Sequence, residues 1–135
     1  MRAFLQGAFF LLAFWASLLA LSWALTPRPL QEEACVPGPL PGRAELWSNG
    51  ALPLPLCRAA TLVLDLEGTP AQGRGPHVLL VEGRRTLWEG EVLGRKEVRV
   101  RVAGRGTAAL VFTNDLYRPP EDRNLFLRGL RVEPP

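Results

Sequence analysis

The seven residues Lys96-Glu97-Val98-Arg99-Val100-Arg101-Val102 alternate charge and valine without a fault. Side chains that change face at every residue belong to a β-strand, so this run buries one face and solvates the charged one. Shorter segments repeat the period at 61–66, 77–81, 86–92, 107–112 and 125–132. Turn signals separate them: Glu67-Gly68-Thr69-Pro70, Glu82-Gly83-Arg84-Arg85 and Gly104-Arg105-Gly106. Glycine and proline, 13 of each among 135 residues, leave little room for long helices outside the N-terminus. Short strands at intervals of roughly 8–12 residues predict one all-β domain, an antiparallel β-sandwich. One N-terminal hydrophobic helix should precede it.

That helix is predicted over residues 3–25, which are apolar except for Gln6, Ser17 and Ser22. A bilayer span needs about 20 apolar residues. Arg2 and the free amine precede the run, so the N-terminus should stay in the cytoplasm. Residues 1–25 therefore read as either an uncleaved signal-anchor or a signal peptide. Small residues at Ser22 and Ala24 supply a cleavage site for the second reading, and the length of the apolar run favours the first. Both export everything after about Leu30, to the cell envelope outside the cytoplasmic membrane. More specific envelope signals fail: Cys35 follows Glu32-Glu33-Ala34, which is not a lipoprotein triplet, and no pilin-type cleavage site accompanies Gly7.

An exported chain with two cysteines, Cys35 and Cys57, is expected to join them. The loop so closed stabilises the fold by about 3 kcal/mol on the chain-entropy estimate; two free buried thiols are the alternative. Between the apolar run and the strands, residues 26–41 carry five prolines and few apolar side chains. They are expected to form a semi-extended linker, with the sandwich occupying 42–135.

Composition and residue supply exclude several function classes. A net charge of +3, scattered along the chain, gives no footprint for nucleic acid. Ser48 and His77 are the exported serine and histidine, and no nucleophile-elbow pattern surrounds Ser48. The carboxylates Asp65, Glu67, Glu82, Glu89 and Glu91 fall at strand ends and turns, where solvation is the ordinary explanation. Gly73-Arg74-Gly75-Pro76 leads into a strand and offers no helix N-terminus to a phosphate. The expectation is a protein that is not an enzyme.

One segment carries more information: Phe112-Thr113-Asn114-Asp115-Leu116-Tyr117-Arg118-Pro119-Pro120-Glu121-Asp122-Arg123-Asn124-Leu125. Amides and carboxylates stand at both ends of this loop between strands. Asp115 and Asp122 are far enough apart for the loop to bend back and aim both carboxylates at one point. Calcium takes roughly six to eight oxygens from carboxylates, amides, carbonyls and water, and the loop supplies those groups. A polar turn capped by its own Asn and Asp side chains is the other reading.

The pair Phe112-x-Asn114-Asp115 and Asp122-Arg123-Asn124-Leu125 resembles the signature of the small calcium-dependent, xylan-binding carbohydrate-binding modules. The similarity extends over roughly residues 75–132. The resemblance implies a jelly-roll-type sandwich without catalytic activity, and calcium held in this loop. Vicinal hydroxyls of a polysaccharide or glycan would complete the coordination of that ion. Carried over by position, Asp115 and Asp122 become carboxylate ligands, Asn124 a further ligand or hydrogen-bond partner, and Glu121 a ligand through its carbonyl. Asn114 would brace the turn, and Arg123 would orient a loop carboxylate through a salt bridge. Tyr117 is the aromatic placed to stack on a sugar ring, while Trp88 is expected in the core and Trp47 is a further exposed candidate. The resemblance breaks at Arg128, where those modules commonly carry an acidic residue. Against a membrane-tethered calcium-dependent glycan binder stands a structural cell-envelope subunit, in which calcium only stabilises the fold and the partner is another protein.

Overall fold

The computed structural model describes residues 13–20 and 34–135. Residues 13–20 form a helix with every side chain exposed, inside the predicted N-terminal helix. The rest of that run lies outside the described residues. Among the described residues no helix is long and apolar enough to cross a membrane.

Ten strands follow: β1 (Ala44–Leu46), β2 (Gly50–Leu54), β3 (Ala60–Gly68), β4 (His77–Glu82), β5 (Arg85–Glu91), β6 (Gly94–Val102), β7 (Ala108–Phe112), β8 (Leu116–Arg118), β9 (Glu121–Arg123) and β10 (Leu125–Glu133). They build one sheet in the order β1-β10-β3-β6 and a second in the order β2-β7-β4-β5, with β8 and β9 as a separate hairpin. All pairings are antiparallel. With the hairpin set aside, the strands pair first with last, second with second-last, and so on inward to the β4–β5 turn. That is a long antiparallel ribbon rolled into two sheets, the jelly-roll arrangement. The predicted antiparallel β-sandwich is the observed fold.

The period-two reading of β6 holds to the residue: Val98, Val100 and Val102 are buried, and Glu97, Arg99 and Arg101 are exposed. They join Leu62, Leu64 and Leu66 of β3 and Leu125 and Leu127 of β10 in a core that also takes Val78, Leu80, Leu110 and Phe112 from the facing sheet. Trp88 packs against this core as expected, over Gly90, with the Lys96 amine 5.5 Å from the ring centroid. The outer face of β3, β6 and β10 is laced by ion pairs. Arg95 bridges Asp65 and Glu67, while Arg99 reaches Glu97 and Glu133.

One boundary differs from the sequence reading. The turn expected at Glu67 and Gly68 is strand, because both residues stay in register with β6 and β10. The described part of the proline-rich segment is tied down at two points. Cys35 is bonded to Cys57 with Cα atoms 5.7 Å apart, and the Gly38 amide donates to the Pro55 carbonyl at 3.2 Å. Both fasten residues 35–38 to the sandwich. Disulfides persist in oxidising compartments, so the bridge fits an address outside the cytoplasm.

One glycine is indispensable at its place. Gly104 has φ +81°, and a Cβ there would lie 2.6 Å from the Arg58 Cα. Gly104→Ala combines a left-handed backbone penalty with a main-chain clash, and should cost about 2 kcal/mol or more in a urea melt.

Candidate functional site

The information-rich segment folds as the β8–β9 hairpin, turning at the cis Pro119–Pro120 bond. Its register pairs Leu116 with Arg123, Tyr117 with Asp122 and Arg118 with Glu121. Alternation puts Tyr117 and Asp122 on one face and Leu116, Arg118, Glu121 and Arg123 on the other. Asp115 and Asn124 follow directly outside the paired residues, at the open end of the hairpin. In the sequence this segment has the look of a loop, since adjacent prolines mark a break more readily than a turn between strands.

Arg123 organises the region. Buried at 7% exposure, it donates from Nε to the Arg74 carbonyl at 2.9 Å, and from its two terminal nitrogens to the Asn114 and Ala71 carbonyls at 2.6 Å each. The salt bridge to a loop carboxylate expected from the sequence is absent, because main-chain oxygens take the guanidinium. A planar fork is suited to this role, joining the loop 71–74 to the start of the hairpin. Glu121 faces the same loop and accepts a hydrogen bond from the Gln72 amide at 3.4 Å. Its carboxylate is thus turned from Asp122.

Asn114 braces the loop. Its Oδ1 accepts from the His77 amide at 2.5 Å and its Nδ2 donates to the Gly75 carbonyl at 3.2 Å. Two further supports were not foreseen. The Asp115 amide donates to Asn49 Oδ1 at 2.7 Å, tying the site to the β1–β2 connection. The Thr69 hydroxyl donates to the Asp122 carbonyl at 2.6 Å and accepts from the Asn124 amide at 2.9 Å. An isolated Asn or Thr in a connection carries no sequence signal that it will bridge to a loop about fifty residues away.

Two buried oxygens at the site are left without a partner. Among the described residues, the buried side-chain oxygens lacking any hydrogen-bond partner are Asp115 Oδ1 and Asn124 Oδ1. Asn124 is 4% exposed. Leaving a buried acceptor unsatisfied costs about 1–3 kcal/mol, so native folds rarely tolerate it without a ligand, water or ion. Both orphans belong to residues singled out as metal ligands, each adjoining the open end of one hairpin. Asp115, Glu121 and Asp122 do not converge as a carboxylate triad: among the described residues no three acidic, histidine or cysteine side chains form a metal-holding group.

No known protein family, curated protein or solved structure matches this chain. The site must be read from its own chemistry.

Tyr117 projects from the hairpin at 67% exposure, and Trp47 is 57% exposed. Trp47 directly follows β1, whose last residue, Leu46, pairs with Leu125. Its ring meets Phe126 edge-on with centroids 5.5 Å apart, and its indole N–H donates to Glu45 at 3.1 Å. Arg128 donates to Glu67 and its guanidinium lies 4.5 Å over the Phe126 ring. Its charge is committed there.

Proposed function

We propose that this is an exported, membrane-tethered carbohydrate-binding protein that recognises a polysaccharide or glycan through calcium held at the β8–β9 hairpin. The observation that carries the reading is the pair of unsatisfied buried oxygens on Asp115 and Asn124. A carboxylate and an amide oxygen are hard donors of the kind calcium takes, and carbonyls and water commonly complete its coordination. Asp122, two residues before Asn124, is the second carboxylate. Arg123, Asn114, Asn49 and Thr69 hold these donors in place without competing for them, the second-layer support that metal sites need.

A bound calcium with open positions accepts two adjacent hydroxyls in place of water. The exposed rings of Tyr117 and Trp47 stand on elements flanking the orphans and give a sugar face something to stack on. This recognition depends on a diol rather than on a whole sugar outline.

Calorimetric titration of the full chain tests the reading, first with calcium and then with oligosaccharides with and without chelator. We expect calcium binding that is lost in Asp115→Ala and weakened at least about ten-fold in Asn124→Ala, with sugar heats only when calcium is present. Calcium heats with no sugar response would instead indicate an ion that stabilises an envelope subunit. No calcium heat at all overturns the proposal.

A further inference from the structure

The opposite end of the sandwich has a different chemistry. Strand β4 runs from His77, beside the candidate site, to Glu82, a distance of roughly 20 Å at strand rise. At the Glu82 end three turns meet, spanning residues 55–59, 82–85 and 103–107. The Glu82 carboxylate accepts from the Ala103 and Gly104 amides at 3.0 and 2.9 Å. The Gly83 amide donates to the Thr107 carbonyl at 3.1 Å, and Gly104 rests against the Arg58 backbone.

These turns carry Arg58, Arg84, Arg85 and Arg105 against the single carboxylate of Glu82. Glu82 is buried and its charge is already met by Arg85 at 2.9 Å and the two amides. Arg58, Arg84 and Arg105 are exposed and make no ion pair among the described residues. Elsewhere on the domain the guanidiniums of Arg95, Arg99, Arg128 and Arg131 are matched to acids, while Arg43, Arg101 and Arg118 stand singly without an ion pair among the described residues. Glu133, whose strand ends near this pole, is itself taken by Arg99 and Arg131. A cleft of about 140 Å³ lies between the turns, lined by Glu82, Gly83, Arg85, Arg105 and Gly106.

The disulfide gives this pole a partner. Cys57 immediately precedes Arg58, so its bond to Cys35 fixes at the arginine end the point where the chain departs toward the apolar run. We propose that the arginine pole of Arg58, Arg84, Arg85 and Arg105 rests on anionic lipid headgroups of the membrane that holds the N-terminal segment. Planar guanidiniums match phosphate oxygens, and the attraction fades beyond the Debye length, so it acts only on a domain held close. The contact turns the calcium and sugar site outward. The inference rests on the tether part of the functional reading, not on its calcium or sugar part.

The test uses the full chain on vesicles of phosphatidylcholine alone or with phosphatidylglycerol. Flotation on neutral vesicles reads the tether. Arginine modification by phenylglyoxal, resolved by peptide mass spectrometry, reads the pole. Arg58, Arg84 and Arg105 should react about ten-fold more slowly on the anionic vesicles, and high salt should erase the difference. Arg131, on the outer sheet face, should react alike on both. Joint replacement Arg58→Gln, Arg84→Gln and Arg105→Gln should leave flotation on neutral vesicles intact and remove the extra retention that anionic lipid gives. A chain that floats only on anionic vesicles, with the three arginines protected, retires the tether and keeps the pole. Equal modification on both vesicle types overturns the proposal, as does a chain that binds neither.

Discussion

Replacing Arg123 with alanine should lower stability by about 3–4 kcal/mol, because a buried guanidinium and three charge-assisted hydrogen bonds go at once, leaving the Ala71 and Arg74 carbonyls only each other's amides. For a domain of this size that is a fall of roughly 15 °C or more in the melting midpoint. The guanidinium is the shared anchor of Arg74, Ala71 and Asn114, so its loss frees the loop 71–74 and the entry to β8 together. Arg123→Lys should recover little. A point-like ammonium cannot reach three acceptors spread around a planar fork. Calorimetry and chemical denaturation check the size of the effect, and calcium titration of the same variant checks its location. Affinity should fall although no donor has been removed. A variant that melts like the parent would show that the three carbonyls are satisfied without the arginine.

The second large effect belongs to Glu82. Burial by itself raises this carboxyl, yet amide donation from Ala103 and Gly104 and the Arg85 guanidinium hold it below the usual range. A depressed folded value means that the ionised side chain contributes stability in full above the ordinary carboxyl range. That contribution is lost as pH falls through the folded value. Glu82→Gln should therefore cost about 2–3 kcal/mol near neutrality and flatten the loss of stability at acid pH, since the group that must take up a proton is gone. Urea midpoints measured from pH 7 down to roughly pH 3 separate the two. A parent and variant whose curves stay parallel throughout would rule out the ionised Glu82 as the reason.

Much of the architecture is legible before any coordinates. The valines of β6 and the alternation of β4 and β7 announce a two-layer β fold, because burying one face at period two is all such a strand requires. Strands β1 and β2 give no such signal: β1 has three residues, and β2 carries Pro53, tolerated because it lies on a sheet edge. The candidate site divides in the same way. Asp115, Asn114 and Asn124 stand out by residue type within one short segment. Asn49 and Thr69 do not, because their part in the site depends on how the ribbon rolls. Arg123 stands out too, but spacing cannot distinguish an arginine that faces a carboxylate from one that gathers carbonyls. Glu82 reads in sequence as an ordinary turn acid and becomes buried only where three turns meet.

The nested pairing also fixes an order of events in time. Contacts between β4 and β5 close a short loop, whereas β1 and β10 join residues such as Ala44 and Leu127 across almost the whole domain. Loop-closure entropy makes such distant pairings slow, so the ribbon closes from its β4–β5 turn outward and the β1–β10 pair comes late. Asn124 and Asn49 adjoin that last-formed pair, which makes the candidate site a reporter of completed folding. Hydrogen exchange should find the amides of Asp115 and Asn124 opening ahead of those in β3 and β6, and an ion bound between them would close the ribbon at its open end.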